Sequence, residues 1–238
     1  MRKKTVKGLC FGLAVAIMAP VALSGGMPVF AAETSERTVT ILADLSNPES
    51  YKKELETFLS DESIDGVYVI DENSINTSPI PQEKVNDENN NNTKAITTYT
   101  YRLTNVNKGA LYNGNTLLAT ASSNEPGTTL SISTTKSVAH TVSNSVNVSD
   151  GVISAGLGFN ISKSVSVTIS GSRTVPTTHN GRKVATMTLK AYPTYQIYTY
   201  TIQRHKSIGG VNYGWSNYGT GTCKRPIGFF FTSSYTYK

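Results

Sequence analysis

Residues 128–172 read TTLSISTTKSVAHTVSNSVNVSDGVISAGLGFNISKSVSVTISGS, and polar and apolar side chains alternate along them in two long arms. In the first arm the even positions carry Leu130, Ile132, Val138, Val142, Val146 and Val148, while the odd positions are almost all Ser, Thr, Asn or Ala. Period two is the signature of a β-strand with one buried face. After Asp150-Gly151, a dipeptide suited to the positive φ of a tight turn, the phase inverts and Ile153, Ala155, Leu157, Phe159, Ile161, Val165, Val167 and Ile169 become the apolar row. One long β-hairpin is therefore expected. A turn centred on the Asp150-Gly151 bond would face Val148 with Ile153, Val146 with Ala155, Val142 with Phe159 and Ile132 with Ile169, so that both apolar rows share one side.

The polar side of this hairpin carries no charge. Soluble sheets usually place Lys or Glu on exposed strands to discourage edge pairing, whereas the lumen side of a transmembrane barrel alternates with a lipid side in this same pattern. From Val142 to Ile161 the apolar face is also uncharged, which leaves about ten residues per arm, near the ~9–11 that a tilted strand needs to cross a bilayer. Lys136, His140 and Lys163 lie further from the turn. Two environments fit: a solvated strand pair in a β-sandwich, and a membrane-inserting hairpin. In the second, Val142, Val146, Val148, Ile153, Ala155, Leu157, Phe159 and Ile161 face lipid, while Ser143, Ser145, Ser154 and Asn160 face water.

Outward from the hairpin, residues 1–32 have a basic start (Arg2, Lys3, Lys4, Lys7), an apolar run from Leu9 to Leu23, and Val29-Phe30-Ala31-Ala32. This is the layout of a secretory signal peptide, with cleavage expected after Ala31 or Ala32. A secreted, extracellular protein is expected. Residues 33–94 hold fourteen carboxylates against five bases, a net charge of −9; the remaining residues hold thirteen bases against only Glu125 and Asp150, a net of +11. Within the acidic part, Thr38 to Ala43 reads as a strand, Asn47-Pro48-Glu49 as a helix start, Leu55, Phe58 and Leu59 as one helical stripe, and Val67 to Ile70 as a second strand. Residues 33–73 thus make a small acidic β-α-β prosegment. Residues 74–94, with Pro79, Pro81 and an Asn-rich run, have the composition of a disordered linker where a protease would cut. Opposite charges suggest that the prosegment masks the basic domain as a partner in the same chain.

Residues 95–238 are a domain of ordinary size with almost no helix signal, so the expected class is all-β: an elongated antiparallel sheet or sandwich carrying one long amphipathic hairpin. Strands are expected at Thr97 to Leu103, Val184 to Ala191, Gln196 to Arg204, Val211 to Trp215 and Ile227 to Thr236, with glycines as punctuation. The domain is poor in groups that move protons or hold metal. His140, His179 and His205 match no zinc spacing, Glu125 and Asp150 each sit at a turn signal, and no catalytic residue, cofactor or metal is expected. Cys223, alone in the mature chain, reads as a buried free thiol, with an intermolecular bridge as the alternative. Tyrosines are abundant near basic residues. Arg182, Lys183, Lys190, Tyr192, Tyr195, Tyr198, Arg204, Lys206 and Trp215 form a candidate surface for membrane lipid or a cell-envelope polymer. The charge alone would also suit nucleic acid, but no recognition motif accompanies it, and none is expected as partner.

The Ser/Thr-rich alternating run Ser131 to Ser172, with its apolar tip Val148-Ser149-Asp150-Gly151-Val152-Ile153, resembles the insertion hairpin of aerolysin-like β-pore-forming toxins. That resemblance implies a secreted protoxin that is activated by proteolysis and assembles into a homo-oligomer on a membrane; a receptor-binding domain of that family is not recognisable here. Ala191-Tyr192-Pro193-Thr194-Tyr195 and Lys224-Arg225-Pro226-Ile227-Gly228 look like segments of uncharacterised secreted proteins of Gram-positive bacteria. Two functions stay open at this level: a pore-forming or membrane-perturbing toxin, and a non-catalytic β-domain that binds an envelope or other surface.

Overall fold

The computed structural model describes residues 37–75, 86–87 and 97–238. The expected signal peptide and most of the expected linker lie outside the described residues. In chain order the strands are β1 (Thr38–Ala43), β2 (Gly66–Asp71), β3 (Asn86–Asp87), β4 (Thr97–Asn113), β5 (Ala119–Ser123), β6 (Thr129–Val138), β7 (Thr141–Asn144), β8 (Val165–Thr174), β9 (Thr178–His179), β10 (Arg182–Ile208) and β11 (Val211–Tyr237). The helices are α1 (Lys52–Ser60), α2 (Glu72–Ile75) and α3 (Asp150–Leu157). The all-β expectation holds.

The framework is the β10/β11 hairpin, 27 residues in each strand, or about 90 Å of extended chain at ~3.3 Å per residue. Four expected strands are really two. Pro193 sits inside β10 opposite Phe229, with a bulge immediately after it at Thr194/Tyr195 that absorbs the break in the ladder. Gly219 and Gly221 lie within β11, paired with Ile202 and Tyr200, and do not form a turn. Of the expected glycine turns Gly209-Gly210 is the one that forms, with both residues at positive φ. Along one edge of this ribbon β5 pairs with Met187 to Ala191, and β4 pairs with Thr194 to Ile208. Along the other edge β2 pairs with Gly228 to Thr232, and β7 pairs with Gly221 to Lys224.

The acidic segment forms the expected β-α-β unit, with β1 and β2 parallel. Its helix starts later than expected. Asn47 makes no capping side-chain bond, Pro48–Ser50 forms a separate 3₁₀ turn, and α1 begins at Lys52. Asn86–Asp87, in the middle of the expected linker, pairs with Thr100 and Tyr99 on the edge of β4.

The acidic unit shares its core with the basic domain. Ile41, Tyr51, Leu55, Leu59, Val67 and Val69 are buried in one cluster with Leu130, Ile132, Val167, Ile169, Met187, Leu189, Phe229 and Phe231. Tyr51 donates its hydroxyl to the carbonyl of Thr168 at 3.0 Å, and Ser172 donates to Glu56 Oε1 at 2.8 Å. The contact is apolar burial plus strand pairing, where opposite charge had been expected to dominate; the ion pair Lys52–Glu49 lies within the acidic unit itself.

The arms of the expected hairpin do pair, as a separate ribbon of β6 with β8, and Leu130 and Ile132 point into the core while Ser131 and Ser133 are exposed. The register differs by two residues: Ile132 faces Gly171, not Ile169. A shift of two keeps every side chain on its face, so alternation cannot choose between these registers. Packing does: Gly171, which has no side chain, lies against Leu55 of α1 and the ring of Phe231. The outer part of the hairpin is absent from this ribbon, and the expected pairings Val142 with Phe159, Val146 with Ala155 and Val148 with Ile153 are replaced by other contacts.

Because the acidic unit is held by buried apolar surface, a chain cleaved at an engineered protease site between residues 76 and 85 is expected to stay in two associated pieces. Size-exclusion chromatography at about 1 M salt, where charges are screened beyond ~3 Å, checks this. Separation of the pieces at high salt would restore the electrostatic account.

Candidate functional site: the docked segment 139–164

Between β6 and β8 the chain leaves its ribbon and folds against the distal half of the β4/β10/β11 sheet. Strand β7 adds to the edge of β11 in the register Thr141 with Lys224, Val142 with Cys223, Ser143 with Thr222 and Asn144 with Gly221. Ser145 extends this contact: its N–H donates to the Thr220 carbonyl and its Oγ accepts from the Thr220 N–H, both at 2.9 Å. The expected Asp150-Gly151 turn is instead the start of α3, preceded by extended Ser149 and closed by Gly158 at φ 79, whose N–H donates to the Ser154 carbonyl. A glycine in the left-handed conformation is a common helix stop.

The same residues satisfy two periods. In the linear sequence Ile153, Ala155 and Leu157 alternate as a strand would, yet Val152, Ile153, Gly156 and Leu157 form the buried stripe of a helix. Val152, on the polar side of the expected hairpin, is buried here at 4% exposure. Of the expected lipid-facing residues, Ile153, Leu157 and Ile161 are buried and Val142, Val146, Val148, Ala155 and Phe159 half-buried, most of them over Leu103, Tyr198, Tyr200, Ile202 and Cys223. Ser143, Ser145 and Asn160 are exposed in the docked segment; Ser154 is half-buried and its Oγ accepts from the Ile161 N–H at 3.1 Å.

The sheet beneath is cut to receive this segment. A Cβ on Gly219 would stand 2.6 Å from Val146 Cγ2, one on Gly221 would overlap Asn144 and the Tyr200 ring, and one on Gly156 would overlap Leu103. Tyr200 donates its hydroxyl to Asn144 Oδ1 at 2.7 Å. Burial pushes the Cys223 thiol up to about 12, so it is protonated and unreactive while covered. The outer margin of β7 is wet, for it borders a polar cavity of about 570 Å³ with Asn105, Asn107, Thr199 and Thr201.

At the base of the segment His140 Nδ1 donates to the Lys163 carbonyl at 2.9 Å, tying the two strands together where they leave the ribbon. Its ring stacks on Phe159 at 5.4 Å, and the Arg225 guanidinium lies 4.5 Å over the same Phe159 ring. Nε2 is buried without a hydrogen-bond partner. Burial first, and then the positive charge of Arg225, hold the imidazole below its ordinary range.

The expected surface residues do not form one patch. Tyr198 is buried under the segment, and Tyr192 and Tyr195 are half-buried, because this part of β10 is covered by neighbouring elements. Arg182, Lys183 and Lys190 lie toward one end of β10, with Arg182 4.1 Å over Tyr237. Arg204, Lys206 and Trp215 lie toward the other, where Tyr213 and Tyr218 join them together with Arg102 and Tyr99, which the sequence did not single out. Cation pairs with aromatic rings were the missed signal, since their partners come from three strands.

Among the described residues no group of three or more His, Cys, Asp or Glu side chains is placed to hold a metal ion, and no helix is long and apolar enough to cross a membrane. No model of a known protein family matches the chain, and no curated protein matches it.

Two outcomes follow from the docking geometry. Gly219→Val should push Val146 off the sheet and raise the labelling rate of Cys223 by a thiol reagent about tenfold or more; an unchanged rate would mean that the glycine floor does not hold the segment. For His140, a folded-state pKa below the unfolded value of ~6.5 means that the unfolded chain binds more protons, so stability is lost as pH falls below about 6.5. His179, also lowered chiefly by burial, acts in the same direction. The thermal midpoint is therefore expected to fall from pH 7 to pH 5, and His140→Gln should flatten that fall by more than His179→Gln.

Proposed function

We propose that the protein is an exported β-pore-forming protein in which segment 139–164 leaves the sheet and extends β6 and β8 into a membrane-crossing hairpin. The observation that carries this reading is the β6/β8 register. Continued past Val138 and Val165, the same register pairs Val142 with Ile161, Val146 with Leu157 and Val148 with Ala155 on one side, and Ser143 with Asn160 and Ser145 with Gly158 on the other. The turn then falls on Gly151-Val152, with glycine at the first central position as a type II′ turn prefers. Between Thr141 and Ser162 the one charged residue is Asp150, at the apex.

Energetics favour lipid as the destination. Undocking exposes Ile153, Leu157 and Ile161, each worth roughly 1.5–3 kcal/mol when fully buried, and an isolated hairpin leaves its edges unpaired in hydrocarbon. Release is therefore offset only when apolar surroundings receive the side chains and neighbouring copies pair the edges, which implies a homo-oligomer on a membrane. In this reading the acidic unit stays in place, because it shares the core of the framework strands. The competing reading, a non-catalytic surface-binding β-domain, keeps the segment docked throughout.

Native Cys223 offers a direct test. Val142→Cys places a second thiol at the opposed position on β7, where cross-strand Cα separations of ~4.5–5.5 Å suit a disulfide. The oxidised variant should release no dye from vesicles, and reduction should restore release. Val146→Arg or Leu157→Arg, at ~2–4 kcal/mol per chain on the lipid face, should abolish conductance while surface binding persists, whereas Ser145→Arg should keep conductance and alter ion selectivity. Dye release by the oxidised Val142→Cys protein would eliminate the hairpin mechanism, and absence of release under all conditions would favour the surface-binding domain.

A further inference from the structure

Beyond Ile202 and Leu103 the sheet narrows to β4, β10 and β11, with the two residues of β3 paired to Thr100 and Tyr99 along the outer edge of β4, and among the described residues no element covers either face. Every residue from Gly209 to Asn217 is exposed, including Val211 at 59%, Tyr213 at 62% and Trp215 at 38%. Such large apolar side chains at an unsupported end mark a contact surface. Cations accompany the rings on both faces. The Arg102 guanidinium lies 4.2 Å over Trp215; on the opposite face, where Gly214 at φ 77 reverses the alternation, Arg204 lies between Tyr99 at 4.7 Å and Tyr218 at 4.2 Å. Residues 95–238 contain two carboxylates, Glu125 and Asp150, and neither belongs to β4, β10 or β11; the strand pairing brings one acid to this end, Asp87 of β3 opposite Tyr99, and Arg102, Arg204 and Lys206 outnumber it. The surface therefore complements an anionic partner.

Shape selects among anionic partners. Three strands edged by the two residues of β3 are about 15–20 Å wide, so one face offers less than the ~800 Å² per side of a stable protein interface. A fluid interface can instead surround both faces at once. The free edge of β11 is also a poor template for another strand, since the Gly214 N–H is already taken by Asn212 Oδ1 at 2.7 Å in a local bulge. Lastly, this end is the one to which the candidate inserting segment points: α3 packs over Leu103 and Ile202, and only six residues of β10, about 20 Å, separate Ile202 from the turn.

We infer that the end of the β4/β10/β11 ribbon is a membrane-docking surface that takes anionic phospholipid headgroups at Arg204 and Lys206 and seats Val211, Tyr213 and Trp215 at the headgroup boundary. Rings with a polar edge settle there, and basic residues near an anionic leaflet add to the attraction. The choice of bilayer over other anionic partners rests on the hairpin reading above; docking itself does not require the segment to move.

Trp215 is the single tryptophan of the chain and reports on this site directly. The full exported chain, mixed with vesicles of phosphatidylcholine containing roughly a third phosphatidylglycerol, should co-sediment with a blue shift of its tryptophan emission and be quenched by brominated acyl chains. Arg204→Gln with Lys206→Gln should weaken this binding about tenfold or more, and Val211→Glu, at an exposed position beside the turn, should weaken it as well while the fold, checked by circular dichroism, is kept. The oxidised Val142→Cys protein should bind with the same blue shift. Binding without a change in tryptophan emission, equal binding to pure phosphatidylcholine, undiminished binding by Val211→Glu, or assembly of the chain with itself through this end without vesicles would each overturn the assignment. Dye release by the locked protein would overturn the hairpin mechanism and leave this surface standing.

Discussion

Backbone pairing along the full length of β10 and β11 is the interaction on which the rest of the structure depends. Every other described strand except β1, β3, β6 and β8 takes one of those two strands as its hydrogen-bonding partner. A ribbon this long has far more face than one core can cover, so different layers cover different stretches. The β-α-β unit and the β6/β8 ribbon cover the half around Met187, Leu189, Phe229 and Phe231, while segment 139–164 covers the half around Tyr198, Tyr200, Ile202 and Cys223. At the Gly209-Gly210 end no described element covers its faces.

The two covers are held differently. The β-α-β unit is tied by strand pairing, by Tyr51 and Leu55 at the centre of a large apolar cluster, and by hydrogen bonds to β8. Segment 139–164 has four residues of strand pairing, an eight-residue helix containing Gly151 and Gly156, and a polar, wet margin. Low local stability of this sort is found where elements move. His140 adds a buried nitrogen without a partner at the very point where the segment leaves its ribbon, a small cost that the surrounding packing tolerates.

The sequence of the segment is compatible with two periods. Small residues dominate its polar row, so helix and strand propensities are nearly balanced, and apolar residues at 152, 153, 155 and 157 populate both a helical stripe and an alternating row. Docked, the helical stripe is used because Leu103 and the bare backbones at Gly156, Gly219 and Gly221 let it approach closely. In the proposed hairpin the alternating row would be used instead. In that proposal the balance is set by what lies opposite, whether sheet or lipid.

Alternation, charge distribution and turn chemistry by themselves determined much of this protein: the all-β class, the β-α-β unit, the pairing of the two arms beyond Thr128 and before Thr174, and the burial of Cys223. Only the tertiary structure decided the register of those arms, since a two-residue shift leaves every side chain on its face and Gly171 must meet Leu55 and Phe231. It likewise decided that Pro193, Gly219 and Gly221 run through continuous strands, because a bulge and close neighbours compensate for what those residues lack. The acidic unit's attachment by apolar contact was hidden behind its charge, and the aromatic-cation end was hidden because β4 joins it from afar: Arg102 with Trp215 and Tyr99 with Arg204 each pair residues roughly a hundred positions apart. Local pattern speaks for faces and periods; which face meets which is settled by the shapes that neighbouring strands present.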